Sequence, residues 1–170
     1  MRIEKISAGL FGSAAMSARF AIQEDDPTRP ELAGLLTRHL AIMAKHSPPE
    51  SIHALDVEGL RSPGVTFWSV WDGAELAGCG ALKQLESTHG EIKSMHTASA
   101  HLRRGVASFL LEHIIGEARK RGCVRLSLET GSNDAYLPAR SLYARFGFKV
   151  CGPFAGYVLD PNSTFMTLEL

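Results

Sequence analysis

The sequence has few cysteines and no long apolar run, and each shortage argues against a class of protein. Its three cysteines, Cys79, Cys123 and Cys151, are odd in number and show no C-x-x-C spacing. That pattern favours free thiols in a reducing cytosol over a disulfide framework or a zinc site. No stretch approaches the roughly 20 apolar residues that a membrane-spanning helix needs. We therefore expect a cytoplasmic chain with no membrane partner.

An excess of charge of either sign is also lacking. Eighteen Lys and Arg residues balance 18 Asp and Glu residues, which gives a formal net charge of zero at pH 7. Because nucleic-acid binding depends on a surplus of positive charge, this balance argues against a DNA or RNA partner and requires any anion site to be local. No metal is implied either, since no ligand spacing is found among His39, His46, His53, His89 and His113.

The length of the chain, 170 residues, suits one domain with one core. Residues 1–15 combine Arg2 and Lys5 with a short apolar run, which faintly imitates a signal peptide. Glu4 and the interrupting glycines argue against that interpretation. We interpret residues 1–15 as a leader outside the core and predict a single domain over residues 16–170.

Hydrophobic periodicity predicts an α/β (α+β) fold with a mixed, mostly antiparallel central sheet and flanking helices. A β-branched and aromatic run over residues 65–71, followed by Asp72-Gly73, predicts a hairpin with a return strand over 75–85. A strand over 91–97 extends it to an antiparallel meander. A helix separates this strand from the next, over 124–129, so these two are predicted to be parallel. The other predicted elements are strands over 18–23, 148–151 and 164–170, and helices from Glu31, Gly105 and Pro138.

A basic, glycine-containing turn leads from the strand over 91–97 into the helix that follows. The first N–H groups of a helix have no intrahelical partner and carry partial positive charge, so a phosphate binds there. Gly105 and Ala107 keep the approach to the backbone open, and two arginines add charge-assisted contacts. We call this segment the anion cradle; it consists of Arg103, Arg104, Gly105, Val106, Ala107 and Ser108.

Two motifs resemble those of the GNAT family of N-acetyltransferases. The cradle is similar to the family's Gln/Arg-x-x-Gly-x-Gly/Ala loop, with Leu102 where the leading Gln or Arg belongs. Downstream, residues 139–148, ARSLYARFGF, resemble the A-x-x-L-Y-x-x-x-G-F segment, and Tyr136 stands where the family usually has an Asn. The resemblance covers about residues 18–170. Over residues 91–170 it is closest to small bacterial indole-3-acetate acetyltransferase-like members.

The resemblance implies a GNAT fold whose parallel strand pair is splayed. It further implies an acetyl-CoA-dependent N-acetyltransferase that passes the acetyl group to a primary amine of a small molecule or protein, by direct attack in a ternary complex. The cradle would then hold the pyrophosphate of acetyl-CoA, and the pantetheine arm would lie along Met95, His96 and Thr97. Dimers are common in the family, so a homodimer is one possible state, but the sequence does not fix the oligomeric state.

The catalytic roles also come from the resemblance. Tyr143 stands at the family's general-acid position, beside the cofactor, and its phenol can donate a proton to a departing thiolate. Glu91 is the candidate base, acting through a bridging water, and His96 is an alternative proton acceptor near neutral pH. Further polar residues that can meet the acceptor on the two central strands are Lys93, Ser94 and Glu129.

One alternative function is a regulatory module that binds acyl-CoA without transferring the acyl group. The substitution at Leu102 and the unsettled choice of base keep that alternative open. The identity of the acceptor is also open, because the first helix, the connector over 47–59 and the loops near Asn133 and over 155–161 carry no signature charge pattern.

Overall fold

The structure is a computed structural model that describes residues 19–170, so the predicted leader over residues 1–15 lies outside the described residues. Within the described chain, seven strands form one sheet in the order β1-β2-β3-β4-β5-β7-β6. The elements are β1 Phe20–Glu24, α1 Pro30–His46, α2 Val57–Leu60, β2 Val65–Asp72, β3 Glu75–Glu86, β4 His89–Thr97, α3 Val106–Lys120, β5 Arg125–Gly131, α4 Leu137–Arg145, β6 Lys149–Cys151 and β7 Ser163–Glu169.

The parallel strand pair, β4 and β5, is joined over a short length only. His89, Gly90 and Glu91 pair with residues 125–127, and the pairing stops there. The remaining lengths of the two strands therefore have no ladder hydrogen bonds to each other. The other neighbouring strands pair antiparallel. This arrangement confirms the predicted mixed, mostly antiparallel sheet with one parallel pair.

Helices cover both faces of the sheet, as the alternation of buried side chains in the strands requires. Trp68 and Val70 belong to the core beneath α3 and α4. Phe67, adjacent to Trp68 on the same strand, belongs to the second core beneath α1 and α2. The apolar stripe of α1 faces the sheet only in its first half, because Leu32 is fully buried whereas Leu40 is 39% exposed.

The boundaries of the elements differ from the prediction mainly at β4. This strand begins at His89 rather than at residue 91, because the turn after β3 uses only Ser87 and Thr88. The connector over 47–59 holds a 3-10 turn, Pro49–Ser51, and the start of the single-turn helix α2. Asp56 caps that helix by accepting a hydrogen bond from the Gly59 N–H at 2.7 Å.

The cysteines are free thiols, as predicted. Cys79 and Cys123 are buried, and burial raises the pKa of Cys79 to about 12, so this side chain stays a neutral thiol. Over residues 19–170, no helix is both long enough and apolar enough to cross a membrane.

The side chain of Asp25 links the loop between β1 and α1 to strand β2 through hydrogen bonds. Its carboxylate accepts hydrogen bonds from Ser69 Oγ at 2.6 Å and Gln23 Nε2 at 2.8 Å, and it pairs with Arg29 at 3.1 Å. Burial raises the pKa of Asp25, but these hydrogen bonds and the Arg29 charge outweigh it and leave the pKa below 3.8. We expect Asp25→Ala to lower the free energy of unfolding by about 2 kcal/mol at neutral pH.

The pH dependence of this loss follows from the sign of the shift. A carboxylate with a depressed pKa in the folded state stabilises the protein above its unfolded-state pKa, and that contribution disappears as the pH falls through the folded-state pKa. Urea denaturation of both proteins should therefore show a difference that shrinks as the pH falls below 3.8. A difference that stayed constant with pH would show that the ionised carboxylate is not its source.

Candidate active site

The divergence of β4 and β5 opens a cavity of about 120 Å³ in the sheet. Helix α1 lines the cavity on one face of the sheet, and helix α4 lines it on the other face. The polar and sulfur-containing residues that line it are His39, Met43, Ser47, Ser51, His53, Lys93, Ser94, Met95, Glu129, Thr130, Tyr136 and Tyr143.

A β-bulge on β4 shapes the wall of the cavity. Cys79 pairs with His96 and Ala81 pairs with Lys93, so two residues of β4 lie opposite Gly80 alone. A Cβ atom at Gly80 would lie 2.6 Å from Met95 Sδ, a distance that real Cβ atoms do not reach. The absence of a side chain at Gly80 therefore gives Met95 the room to lie beside the cavity.

The backbone of the anion cradle is open for a ligand at the start of α3. Gly105 is the N-cap residue, with φ +88°, and no side chain caps the helix. The first hydrogen bond of this helix runs from the Phe109 N–H to the Gly105 carbonyl at 3.0 Å. Three preceding N–H groups, those of residues 106–108, consequently have no intrahelical partner. Such a terminus fits an anionic group, and the exposed Arg103 stands beside it.

The side chains of the cradle other than Arg103 differ in their surroundings. Arg104 Nη2 donates to Asp72 Oδ2 at 3.0 Å and Nη1 donates to His101 Nδ1 at 2.7 Å, so this guanidinium ties the cradle to β2. Val106 points into the core, whereas Ala107 and Ser108 are half-buried on the first turn. The backbone N–H groups and the exposed Arg103 therefore remain available to a ligand, and phosphate binding there stays a prediction. A contact from Arg104 stays a prediction.

Tyr143 lies on α4 with its ring in the core and lines the cavity. It is 6% exposed and packs edge-on against Phe148 with the ring centroids 5.6 Å apart. Its hydroxyl forms no hydrogen bond to residues 19–170, and is free to meet a ligand. Burial raises the pKa of Tyr143, so the phenol stays protonated at neutral pH.

Glu91 lies behind Lys93 rather than on the cavity wall. The Glu91 side chain is 3% exposed, and its Oε1 accepts hydrogen bonds from Lys93 Nζ at 3.2 Å and from the Tyr157 hydroxyl. Lys93 Nζ also donates to the Tyr157 hydroxyl at 2.8 Å and to the His53 carbonyl at 2.9 Å.

Burial and the neighbouring Glu91 raise the pKa of Tyr157. Sequence reasoning did not identify Tyr157, although it is the one aromatic residue in the loop over 155–161.

The alternative base, His96, packs against His39 of α1 with the ring centroids 4.7 Å apart and the ring planes tilted by 42°. Burial, and then the neighbouring His96, lower the pKa of His39 to about 4. Burial, and then the charge of Arg38, lower the pKa of His96. Each shift favours the neutral imidazole near pH 7.

Tyr136 lines the cavity beside the C-terminal end of α1. Its hydroxyl lies 2.9 Å from Ser47 Oγ, just beyond the end of α1. Nearby, Asn133 Nδ2 donates to the His46 carbonyl at 2.7 Å. These bonds join the end of α1 to the loop between β5 and α4.

The uncapped start of α3 beside a splayed strand pair can hold an anionic ligand, and sequence comparison identifies the family to which the chain belongs. A family model described as the acetyltransferase (GNAT) family matches residues 30–148. That range contains the cradle, both splayed strands and the whole of α4. The chain belongs to the GNAT family of acetyltransferases, which confirms the predicted family and class of enzyme.

Individual proteins that are similar to this chain are also described as acetyltransferases. YsnE of Bacillus subtilis (strain 168), described as an uncharacterized N-acetyltransferase, is 60% identical over 149 residues, which cover 88% of this chain and 99% of YsnE. An IAA acetyltransferase of Azospirillum brasilense is 34% identical, over 88% of this chain and 97% of that protein. A GNAT family acetyltransferase of Elizabethkingia anophelis, solved with acetyl-CoA bound, superposes with a TM-score of 0.65 at 17% identity, over 89% of this chain and 99% of that one. This last likeness shows the fold.

Proposed function

We propose that the protein is a cytoplasmic, acetyl-CoA-dependent N-acetyltransferase that acetylates a primary amine of a small molecule or protein by direct attack in a ternary complex. The observation that carries this proposal is the unbonded hydroxyl of Tyr143 in the gap between the splayed strands. The uncapped start of α3 adds an anion site on the segment that follows β4. Acetyl-CoA, bound in the GNAT neighbour, supplies the acetyl group as a thioester.

Two segments of the chain would hold acetyl-CoA. The N–H groups of residues 106–108 and the side chain of Arg103 would bind the pyrophosphate, where helix polarity and positive charge act together. Met95, His96 and Thr97 lie on β4 beyond the last pair with β5, so the edge of β4 that faces β5 has no strand partner there. An extended pantetheine arm can lie along such an edge.

Acetyl transfer forms a C–N bond and breaks the C–S bond, so the amine must lose protons and the thiolate must gain one. Tyr143 would donate its hydroxyl proton to the sulfur, and its raised pKa keeps that proton in place until transfer. Glu91 is the proposed base, acting through a bridging water, and its carboxylate is hydrogen-bonded to Lys93, which lines the cavity. Holding both reactants in one cavity supplies a further part of the rate.

A homodimer stays a prediction, and the outer edge of the sheet offers a surface for it. Val150, on the edge strand β6, is 73% exposed, and Val158 and Leu159 in the following loop are 75% and 83% exposed. We propose this exposed apolar edge as the dimer interface.

Initial-rate kinetics with both substrates varied test the mechanism. Release of the CoA thiol should require a primary amine, and double-reciprocal plots should give intersecting lines, as expected for a ternary complex. Parallel lines would indicate a covalent acetyl-enzyme instead. Tight binding of acetyl-CoA without turnover across a broad panel of amines would support the regulatory module.

A further inference from the structure

We propose that Glu129 binds the ammonium group of the acceptor, and that the acceptor is a small alkylamine without a carboxylate close to the reacting nitrogen. This inference rests on the proposed function, because it takes the cavity as the acceptor site. It assigns the specificity of that site to one side chain and to the charge balance around it.

The position of Glu129 on β5 places it across the sheet from Tyr143. Leu126 and Leu128 belong to the core beneath α3 and α4, together with Tyr143. Because strand side chains alternate, Glu129 lies on the opposite face, which α1 and the connector over 47–59 cover. Both Glu129 and Tyr143 nevertheless line the same cavity. An amine held at Glu129 would therefore approach the gap from the side opposite the proposed proton donor.

Lys93 is the one lysine or arginine on the cavity wall within the described residues, and its hydrogen-bonding capacity is used up. A lysine ammonium has three N–H donors. Here Nζ has three acceptors, at distances of 2.8 to 3.2 Å: the Tyr157 hydroxyl, the His53 carbonyl and Glu91 Oε1. A carboxylate on the acceptor would have to displace one of them. Lys93 thus serves the internal network rather than an anionic acceptor.

The charge of Lys93 is also balanced, whereas that of Glu129 is not. Glu91 pairs with Lys93 at 3.2 Å, but Glu129 has no salt bridge to any residue over 19–170. The other groups that act on Glu129 are the Ser163 hydroxyl, His53 and Lys93, which lower its pKa, and Glu91, which raises it. Leaving a half-buried carboxylate unpaired costs free energy, and burial accordingly raises the pKa of Glu129. A cation that enters the cavity relieves this cost, so the site selects a positively charged ligand.

Calorimetric titration with n-butylamine at neutral pH, into protein saturated with coenzyme A, tests the inference. Glu129→Gln keeps the shape of the side chain but removes its charge, and should weaken butylamine binding by about 10- to 100-fold. Glu129→Asp keeps the charge and should retain most of the affinity, which separates loss of charge from misfolding. Glu169→Gln, at an exposed position on β7, is the matched control and should bind like the wild type.

Two further probes define the ligand class. n-Butanol, a neutral isostere of butylamine, should bind weakly to the wild type and to Glu129→Gln alike. 4-Aminobutyrate, which adds a carboxylate to the same amine, should bind more weakly than butylamine. Tighter binding of 4-aminobutyrate, or no binding of butylamine to the wild type, would overturn the inference.

The outcomes separate this inference from the proposed function. Glu129-dependent binding of butylamine without acetyl transfer would support the cation site and defeat the transferase mechanism. Equal affinity for butylamine in the wild type and in Glu129→Gln would remove Glu129 as the ammonium site, whether or not acetyl transfer occurs.

Discussion

Replacing Tyr143 with phenylalanine is expected to lower kcat by at least about 100-fold and to change the KM for acetyl-CoA by less than about threefold. The reason is that the Tyr143 hydroxyl has no hydrogen bond to the described residues and reaches the cavity, whereas its ring is part of the core. Phenylalanine keeps the ring and removes the proton donor. Steady-state rates of thiol release, with thermal melting to verify folding, measure the effect.

Tyr136→Phe is the comparison for this variant. It also removes a phenolic hydroxyl from the cavity, but that hydroxyl is bonded to Ser47 at the end of α1. We expect it to act mainly on the KM of the amine, with a change in kcat of only a few-fold. Equal kcat values for wild type and Tyr143→Phe would remove Tyr143 as the general acid.

Replacing Gly105 with glutamate is expected to weaken acetyl-CoA binding by at least about 100-fold, or about 2.7 kcal/mol. A carboxylate at the N-cap would compete for the unpaired N–H groups of α3 and repel the pyrophosphate. The change also forces a side chain into a backbone conformation with φ +88°, which costs about 1–2 kcal/mol of stability. Calorimetric titration with acetyl-CoA measures the binding.

Gly122→Glu separates these two effects. Gly122 follows the other end of α3 and has φ +82°, and a Cβ atom there would meet no heavy atom within 4 Å. The control therefore carries a similar backbone cost without touching the cradle, and should bind acetyl-CoA as the wild type does. If both variants lose binding equally, the loss reflects folding rather than an anion site at Gly105.

The sequence predicted the fold best where single residues restrict the backbone and so set the ends of helices and strands. Pro30 and Pro48 bracket α1, and Asp72-Gly73 leads into β3 after β2, because these residues restrict the backbone directly. The parallel pairing of β4 with β5 followed from the helix between them. The cradle was predictable for the same reason: a glycine at the start of a helix sets the backbone geometry by itself.

The acceptor side of the site was much less predictable, because it depends on contacts between distant parts of the chain. Lys93 meets Tyr157 across 64 positions, and Ser47 meets Tyr136 across 89 positions. No local pattern indicates that Lys93 neutralises Glu91 and leaves Glu129 as the unpaired carboxylate. The β-bulge at Ser94, with φ +54°, could not be predicted from the sequence either, because serine does not indicate a positive φ.

The most direct test of the account is to identify the product of a reaction that contains the purified protein, acetyl-CoA and a panel of small primary amines. Mass spectrometry should find an N-acetylated amine in an amount equal to the CoA thiol released, and the protein itself should remain unmodified when the amine is left out. If acetyl-CoA binds but no amine in the panel is acetylated, the transferase account is contradicted and the cradle is a cofactor-sensing site.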